Sequence, residues 1–146
     1  MFFYLNFKQY YQKGLKLITE RDVRGLTPLH YAAYSNAEDA LLYLINLDIF
    51  RNERERQDYI NLMNSDGHTA LHLSSISRKN KSDNIAKILL QNGANPDIRD
   101  KKGRTAFDLA FAKKQREIEI ERKNRREKKI LTQIYEKLEL LKYLNK

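Results

Sequence analysis

Six residues recur three times in this chain: "GLTPLH" at Gly25–His30, "GHTALH" at Gly67–His72 and "GRTAFD" at Gly103–Asp108. The threonines stand at 27, 69 and 105, so the separations are 69 − 27 = 42 and 105 − 69 = 36 residues. Self-similarity at a spacing of about 20–50 residues marks a repeat architecture. Each unit of such an architecture is too small to bury its own apolar face, and a stack of units buries a continuous core. The recurrence therefore points to repeated units that stack on one another.

Each copy reads as a turn, a short helix, a second turn and a longer helix. Thr27, Thr69 and Thr105 precede the short helices, where a hydroxyl can accept from orphan backbone N–H groups. Pro28 falls in a first turn, where its missing N–H costs nothing. Gly25, Gly67 and Gly103 sit two residues before the threonines and suit a tight turn. Ala32–Ala33 and Ser74–Ser75 are small enough for neighbouring helices to approach closely. "YAAYSNAEDALLYLI" (Tyr31–Ile45) follows the first hexamer, and Leu73–Asp97 follows the second. Within the latter, Ile85, Ala86, Ile88, Leu89 and Leu90 form a broad apolar stripe, and Gly93 is placed to end that helix.

These residues resemble the ankyrin repeat family. Its pattern, D-x-x-G-x-T-P-L-H-x-A-A followed by V-V-x-L-L-L-x-x-G-A-x-x-N, is nearly complete in Asp22–Ala33, "DVRGLTPLHYAA". The second copy, "NSDGHTALHLSS", has Asn64 for Asp and serines for both alanines, and "NIAKILLQNGANPD" supplies its second half. The third copy, Asp100–Ala112, carries Asp108 where the family has His, as a terminal capping repeat would. The resemblance covers residues 14–112 and implies an all-α solenoid of stacked helix-turn-helix units with turn or hairpin connections. It divides the chain into an incomplete N-terminal repeat (1–21), repeat 1 (22–63), repeat 2 (64–99) and a C-terminal repeat with a long charged helical extension (100–146). In the first of these, Leu5–Ile18 is expected to form a helix that covers the open end of the stack.

Three departures from the pattern stand out. Repeat 1 is about nine residues over the usual length, with the surplus in Leu47–Tyr59, "LDIFRNERERQDY". That segment reads either as a long surface loop or as a prolonged second helix. Repeat 2 has about three extra residues in Ser77–Asp83, which read as a polar loop. The tail from Lys113 has no Gly and no Pro. It is expected as a helical hairpin with its tip near Asn124, which would bring Leu140–Asn145 back as the missing second helix. One continuous helix is equally permitted. Ile130, Ile134, Tyr135, Leu138, Leu141 and Leu144 make an apolar stripe there.

Composition narrows the chemistry. There is no cysteine, which removes disulfides, thiolate metal sites and thiol nucleophiles. No signal peptide or spanning helix is read, and a cytoplasmic location is expected. The Lys/Asn/Ile-rich wording fits an AT-rich genome, such as that of an intracellular bacterium, a protozoan or a virus, and a scaffold or a secreted effector in a host cytosol are the roles it leaves open. His30 and His72 belong to the hexamer, where the resemblance implies a structural role bridging neighbouring turns. His68, in a turn, is expected to be exposed. Three scattered histidines make no metal site. No G-x-S-x-G, G-x-x-x-x-G-K or G-x-G-x-x-G is present. Acidic pairs such as those in "ERERQD" lie in charged runs, where nothing raises their pKa. No catalytic residue, cofactor or metal is expected, and the chain reads as a non-enzyme.

A surface remains. The resemblance implies that a protein partner meets the turn tips and the exposed side of the short helices. Carried onto this chain, the tips are Val23, Arg24 and Leu26; Ser65, Asp66 and His68; Lys101, Lys102 and Arg104. The helix positions are Tyr34, Ser35, Ile76, Ser77, Ala112 and Lys113. Val23, Leu26, Tyr34 and Ile76 are apolar or aromatic where a stack gives them little to bury against. The face thus runs from apolar to cationic and suits a partner with a hydrophobic anchor and an acidic segment. The net charge is +9, of which residues 113–146 hold 12 − 6 = +6. Nucleic acid or an anionic membrane on the basic helix is the rival. Lys113–Lys129 carries nine cations but four glutamates and no aromatic residue for base stacking. Self-association through the C-terminal stripe is the third reading.

Overall fold

The computed structural model describes residues 12–77 and 84–144, with side chains as far as Glu139. Seven helices occur among these residues, and no strand: α1 (12–19), α2 (Pro28–Ser35), α3 (Glu38–Ile45), α4 (Glu53–Ile60), α5 (Ala70–Ile76), α6 (Asn84–Gln91) and α7 (Ala106–Leu144). The fold is the all-α solenoid that the hexamers imply. The chain forms two compact units, one ending at Ala110 and one running from Phe111 onward. Of the expected N-terminal helix, 12–19 is helical and 5–11 lies outside the described residues, as do 78–83 of the second insertion.

The three turns preceding α2, α5 and α7 are built alike. The Oδ1 of Asp22 accepts from Arg24 N and Leu26 N, both at 2.8 Å. Asn64 Oδ1 accepts from Asp66 N and His68 N, both at 2.9 Å. Asp100 Oδ1 accepts from Lys102 N and Arg104 N, again at 2.9 Å. A short side chain with an acceptor oxygen is all this position requires, so Asn64 serves as well as Asp. The glycine three residues later has positive φ in every case, 73° at Gly25, 78° at Gly67 and 74° at Gly103. At Gly67 an added Cβ would also stand 2.9 Å from Lys101 N, so glycine is required twice over there.

The threonine and the histidine then close each short helix. Thr69 N donates to His72 Nδ1 at 3.2 Å while His72 N donates to Thr69 Oγ1 at 3.5 Å. This is a reciprocal cap in which histidine takes the place usually held by Glu or Gln. Thr27 N donates likewise to His30 Nδ1 at 3.1 Å. With Nδ1 accepting, the proton sits on Nε2, which donates to the next turn: His30 to His68 O at 3.0 Å and His72 to Arg104 O at 3.1 Å. Burial holds both imidazoles below the ordinary histidine pKa, in the neutral form that this pattern needs. Asp108 caps Thr105 N at 2.9 Å in the same way. A carboxylate cannot donate onward, and no further turn follows among the described residues.

α2 packs on α5 and α3 on α6, with α1 on the near side. Leu29, Leu41, Ile45, Ile60, Ile85 and Leu89 are the fully buried large side chains of the resulting core. Two features differ from the sequence reading. Leu47–Tyr59 is neither a loop nor a prolonged α3, because 53–60 forms a separate helix, α4. Asn52 caps it by accepting from Glu55 N at 2.9 Å, and Arg51–Glu55 and Arg56–Glu53 pair along it. Phe50 meets Tyr59 with ring centroids 5.3 Å apart, and Tyr59 and Ile60 are buried in the core. Asn61, just after α4, donates to Gly93 O at 3.0 Å and accepts from Asn95 N at 2.7 Å, which ties the insertion to repeat 2. The second difference is the tail: α7 is one continuous helix of 39 residues, not a hairpin. No Gly or Pro interrupts it, and propensity alone gives Asn124 no reason to break a run of Arg, Lys and Glu. The side chains of Leu140–Asn145 lie outside the description.

Candidate protein-binding face

Backbone hydrogen bonds join the turn tips into a row. Ser65 N donates to Arg24 O and Lys101 N donates to Asp66 O, each at 3.0 Å. Val23 and Arg24, Ser65 and Asp66, and Lys101 and Lys102 are thereby brought side by side, and all six are exposed. A second row comes from the helix ends. The Ser77 hydroxyl donates to Tyr34 O at 2.6 Å and draws the end of α5 against the end of α2. Tyr34 and Ser35 stand exposed beside half-buried Ile76.

Three expected contact residues are not where a partner could reach them. Leu26 is buried, and its N–H is held by Asp22 Oδ1. Ser77 is fully buried, its hydroxyl committed to Tyr34 O. His68 is not exposed either: its Nε2 lies 3.2 Å from Asp100 Oδ2, and its ring stacks on His72 with centroids 5.6 Å apart. Arg104 is half-buried and contacts Asp100 Oδ2 with two guanidinium nitrogens, at 2.9 and 2.7 Å. Burial alone would raise the Asp100 pKa. The Arg104 guanidinium and the turn N–H groups overcome it and hold the carboxyl far below the usual range. Ala112 and Lys113 belong to the unit that begins at Phe111, where Lys113 is half-buried.

Two residues the sequence reading passed over belong here. Tyr31, half-exposed, donates to Asp22 Oδ2 at 2.6 Å, and its hydroxyl lies 3.5 Å from Arg24 Nη2. The Tyr31 hydroxyl, followed by the Leu26 N–H, holds the Asp22 carboxyl below its ordinary pKa. The tip of repeat 1 is thus a fixed Tyr–Asp–Arg group. The second is Phe107, 74% exposed at the position where Leu29 is 1% exposed and Leu71 is likewise buried. The signal for both was available: Tyr31 follows the hexamer directly, and Phe107 lies in the last copy, which has no next copy to cover it.

The arrangement is a prebuilt polar and aromatic face. No group of three or more His, Cys, Asp or Glu among the described residues could hold a metal ion. No described helix is long and apolar enough to cross a membrane.

Two models of the ankyrin repeat match the chain, one over residues 24–50 and one over residues 66–101. Over 76 residues the chain is 38% identical to "Ankyrin repeat and SOCS box protein 3" of Homo sapiens. That alignment covers 52% of this chain and 13% of the relative, so the chain spans a small part of that protein's length.

Proposed function

We propose that this chain, in which ankyrin repeat models match residues 24–50 and 66–101, is a non-catalytic module that binds a protein partner on its tip and short-helix face. Ankyrin repeats are in general protein–protein interaction modules. The finer reading, a face that takes a hydrophobic anchor and an acidic segment, rests on one observation above all. Fully exposed Val23 and half-exposed Tyr31 and Tyr34 sit at one end of the face, and exposed Lys101 and Lys102 at the other, on turns hydrogen-bonded to one another. Exposed aromatic side chains next to fixed charges make effective anchors. The tips are already ordered by three Asx turns, so a partner meets little ordering cost on this side.

The test is affinity capture from a lysate, with and without nuclease, using three forms of the full chain. One is unaltered, one carries Tyr34→Ala with Lys102→Glu, and one carries Arg122→Glu, Arg125→Glu and Arg126→Glu. The reading expects a protein captured by the first and third forms and lost from the second. Capture that survives in the second and disappears in the third, or that disappears with nuclease, overturns it in favour of the basic helix.

A further inference from the structure

α7 presents an apolar face that nothing described in this chain covers. Ile130, Leu131, Ile134, Tyr135 and Leu138 are 47–68% exposed. Their spacing, i, i+1, i+4, i+5 and i+8, places all five on one side of the helix. All five lie within the unit that begins at Phe111. With Leu131 and Leu138 at a positions and Ile134 at d, the flanking e positions hold Lys128 and Tyr135, the g positions hold Ile130 and Lys137, and Glu127 falls at the preceding d. Neither Lys128 nor Lys137 has an ion-pair partner among the described residues. Lys123, the next g position, lies 3.9 Å from Glu127.

A second copy fits this face badly. Parallel and in register, it would set Lys123 against Lys128 of the other copy and Glu127 against its own equivalent, two like-charge contacts. Antiparallel and centred on Leu131 and Ile134, it would set Lys128 beside Tyr135 and Lys137 beside Ile130, so neither ammonium meets a carboxylate. The same pairing would layer the Glu127 carboxylate on Leu138. We infer that Ile130–Leu138 is a docking stripe for an amphipathic helix of a partner protein whose apolar seam is flanked by Asp or Glu. Such a helix fills the apolar face and supplies the charges that Lys128 and Lys137 lack. This stripe shares no residue with the turn-tip face, and the inference does not rest on that face.

Two designed helical peptides test the inference. They share one Leu/Ile seam and differ in carrying Glu or Lys at every flanking position. Fluorescence anisotropy against the full chain should show the Glu-flanked peptide binding at least about 10-fold more tightly. Leu131→Ser with Ile134→Ser should abolish that binding, with the circular dichroism and urea midpoint retained because both residues are exposed. Tyr34→Ala should leave it unchanged. Lys128→Glu with Lys137→Glu should reverse the preference towards the Lys-flanked peptide. That variant still carries +9 − 4 = +5, so a mere attraction of the whole basic chain for acidic peptides would not reverse. Equal affinity for both peptides, no binding to either, or an unreversed preference overturns the inference. So does sedimentation equilibrium showing a dimer of the full chain that Leu131→Ser/Ile134→Ser dissolves, which would assign the stripe to a second copy.

Discussion

Leu89 in α6 and Leu131 in α7 are the same side chain on the apolar stripe of a helix. Leu89 is completely buried and Leu131 is 55% exposed. Within the stack each helix meets the next copy of itself, so an apolar stripe is met by another at a fixed spacing. From Phe111 onward the repeat is gone, and α7 is exposed along almost its whole length. An apolar stripe in a repeat is therefore core, and the same stripe outside the repeat stays exposed. The sequence pattern alone does not distinguish them. What distinguishes them is the presence of a neighbouring copy.

The sharpest way to break this comparison is a matched pair of truncations. Leu89→Ala should destabilise the chain by about 2–5 kcal/mol, as cavities in close-packed cores do. Leu131→Ala should change stability by less than about 0.5 kcal/mol. Urea unfolding of each variant decides, and a large effect at Leu131 would mean that α7 buries its stripe within the chain.

The turns give a second, smaller contrast. Gly67→Ala and Gly103→Ala both force a side chain into a left-handed conformation, costing about 1–2 kcal/mol. Only at Gly67 does the new methyl meet backbone, Lys101 N and the Asp100 main chain; at Gly103 there is open space within 4 Å. Gly67→Ala should therefore be the more damaging by about 1 kcal/mol or more. Equal effects would mean that the contact between successive tips is softer than described.

A third contrast is electrostatic. His30 and His72 have pKa values lowered by burial from the ordinary histidine value of 6.5. The unfolded chain therefore binds more protons than the folded one just below that pH. The stability these groups contribute is complete above pH 6.5 and is lost as the pH falls towards their folded values. Protonation also removes Nδ1 as an acceptor for Thr27 N and Thr69 N. Urea midpoints should fall between about pH 6.5 and 5, and His30→Gln with His72→Gln should flatten that slope. Asp108, with its pKa lowered by Thr105 N–H, acts in the same direction at lower pH: its contribution is lost only below the ordinary carboxylate value of 3.8. The smallest expected effect is that of Tyr34→Ala with Lys102→Glu, within about 0.5 kcal/mol in stability.

The repeat, its helices and its core were legible because one pattern, copied three times, must stack on itself. The turns were legible for the same reason, down to Asn64 standing in for Asp. The misread residues are those whose partners lie one repeat away. Ser77 is set by a carbonyl 43 residues earlier, and His68 by a carboxylate 32 residues later. Nothing near either residue in sequence announces the contact. Leu26 was expected to point outward from its turn and is buried instead. α4 was concealed by its charges, although Asn52-x-x-Glu55 ahead of buried Tyr59 and Ile60 carried a helix-start signal. The hairpin expectation for the tail came from the family pattern, which the tail does not follow. Its lack of Gly and Pro was the better guide.

Site-specific photo-crosslinking tests the proposed binding face most directly. A photoreactive phenylalanine analogue replaces Tyr34 in one sample, Tyr43 in a second and Lys129 in a third, and each full chain is irradiated with the captured partner. Tyr43, 69% exposed against 48% at Tyr34, lies on α3, which carries none of the proposed contact residues. The account predicts adducts from position 34 and none from 43. Adducts from 43 or 129 with none from 34 would contradict it.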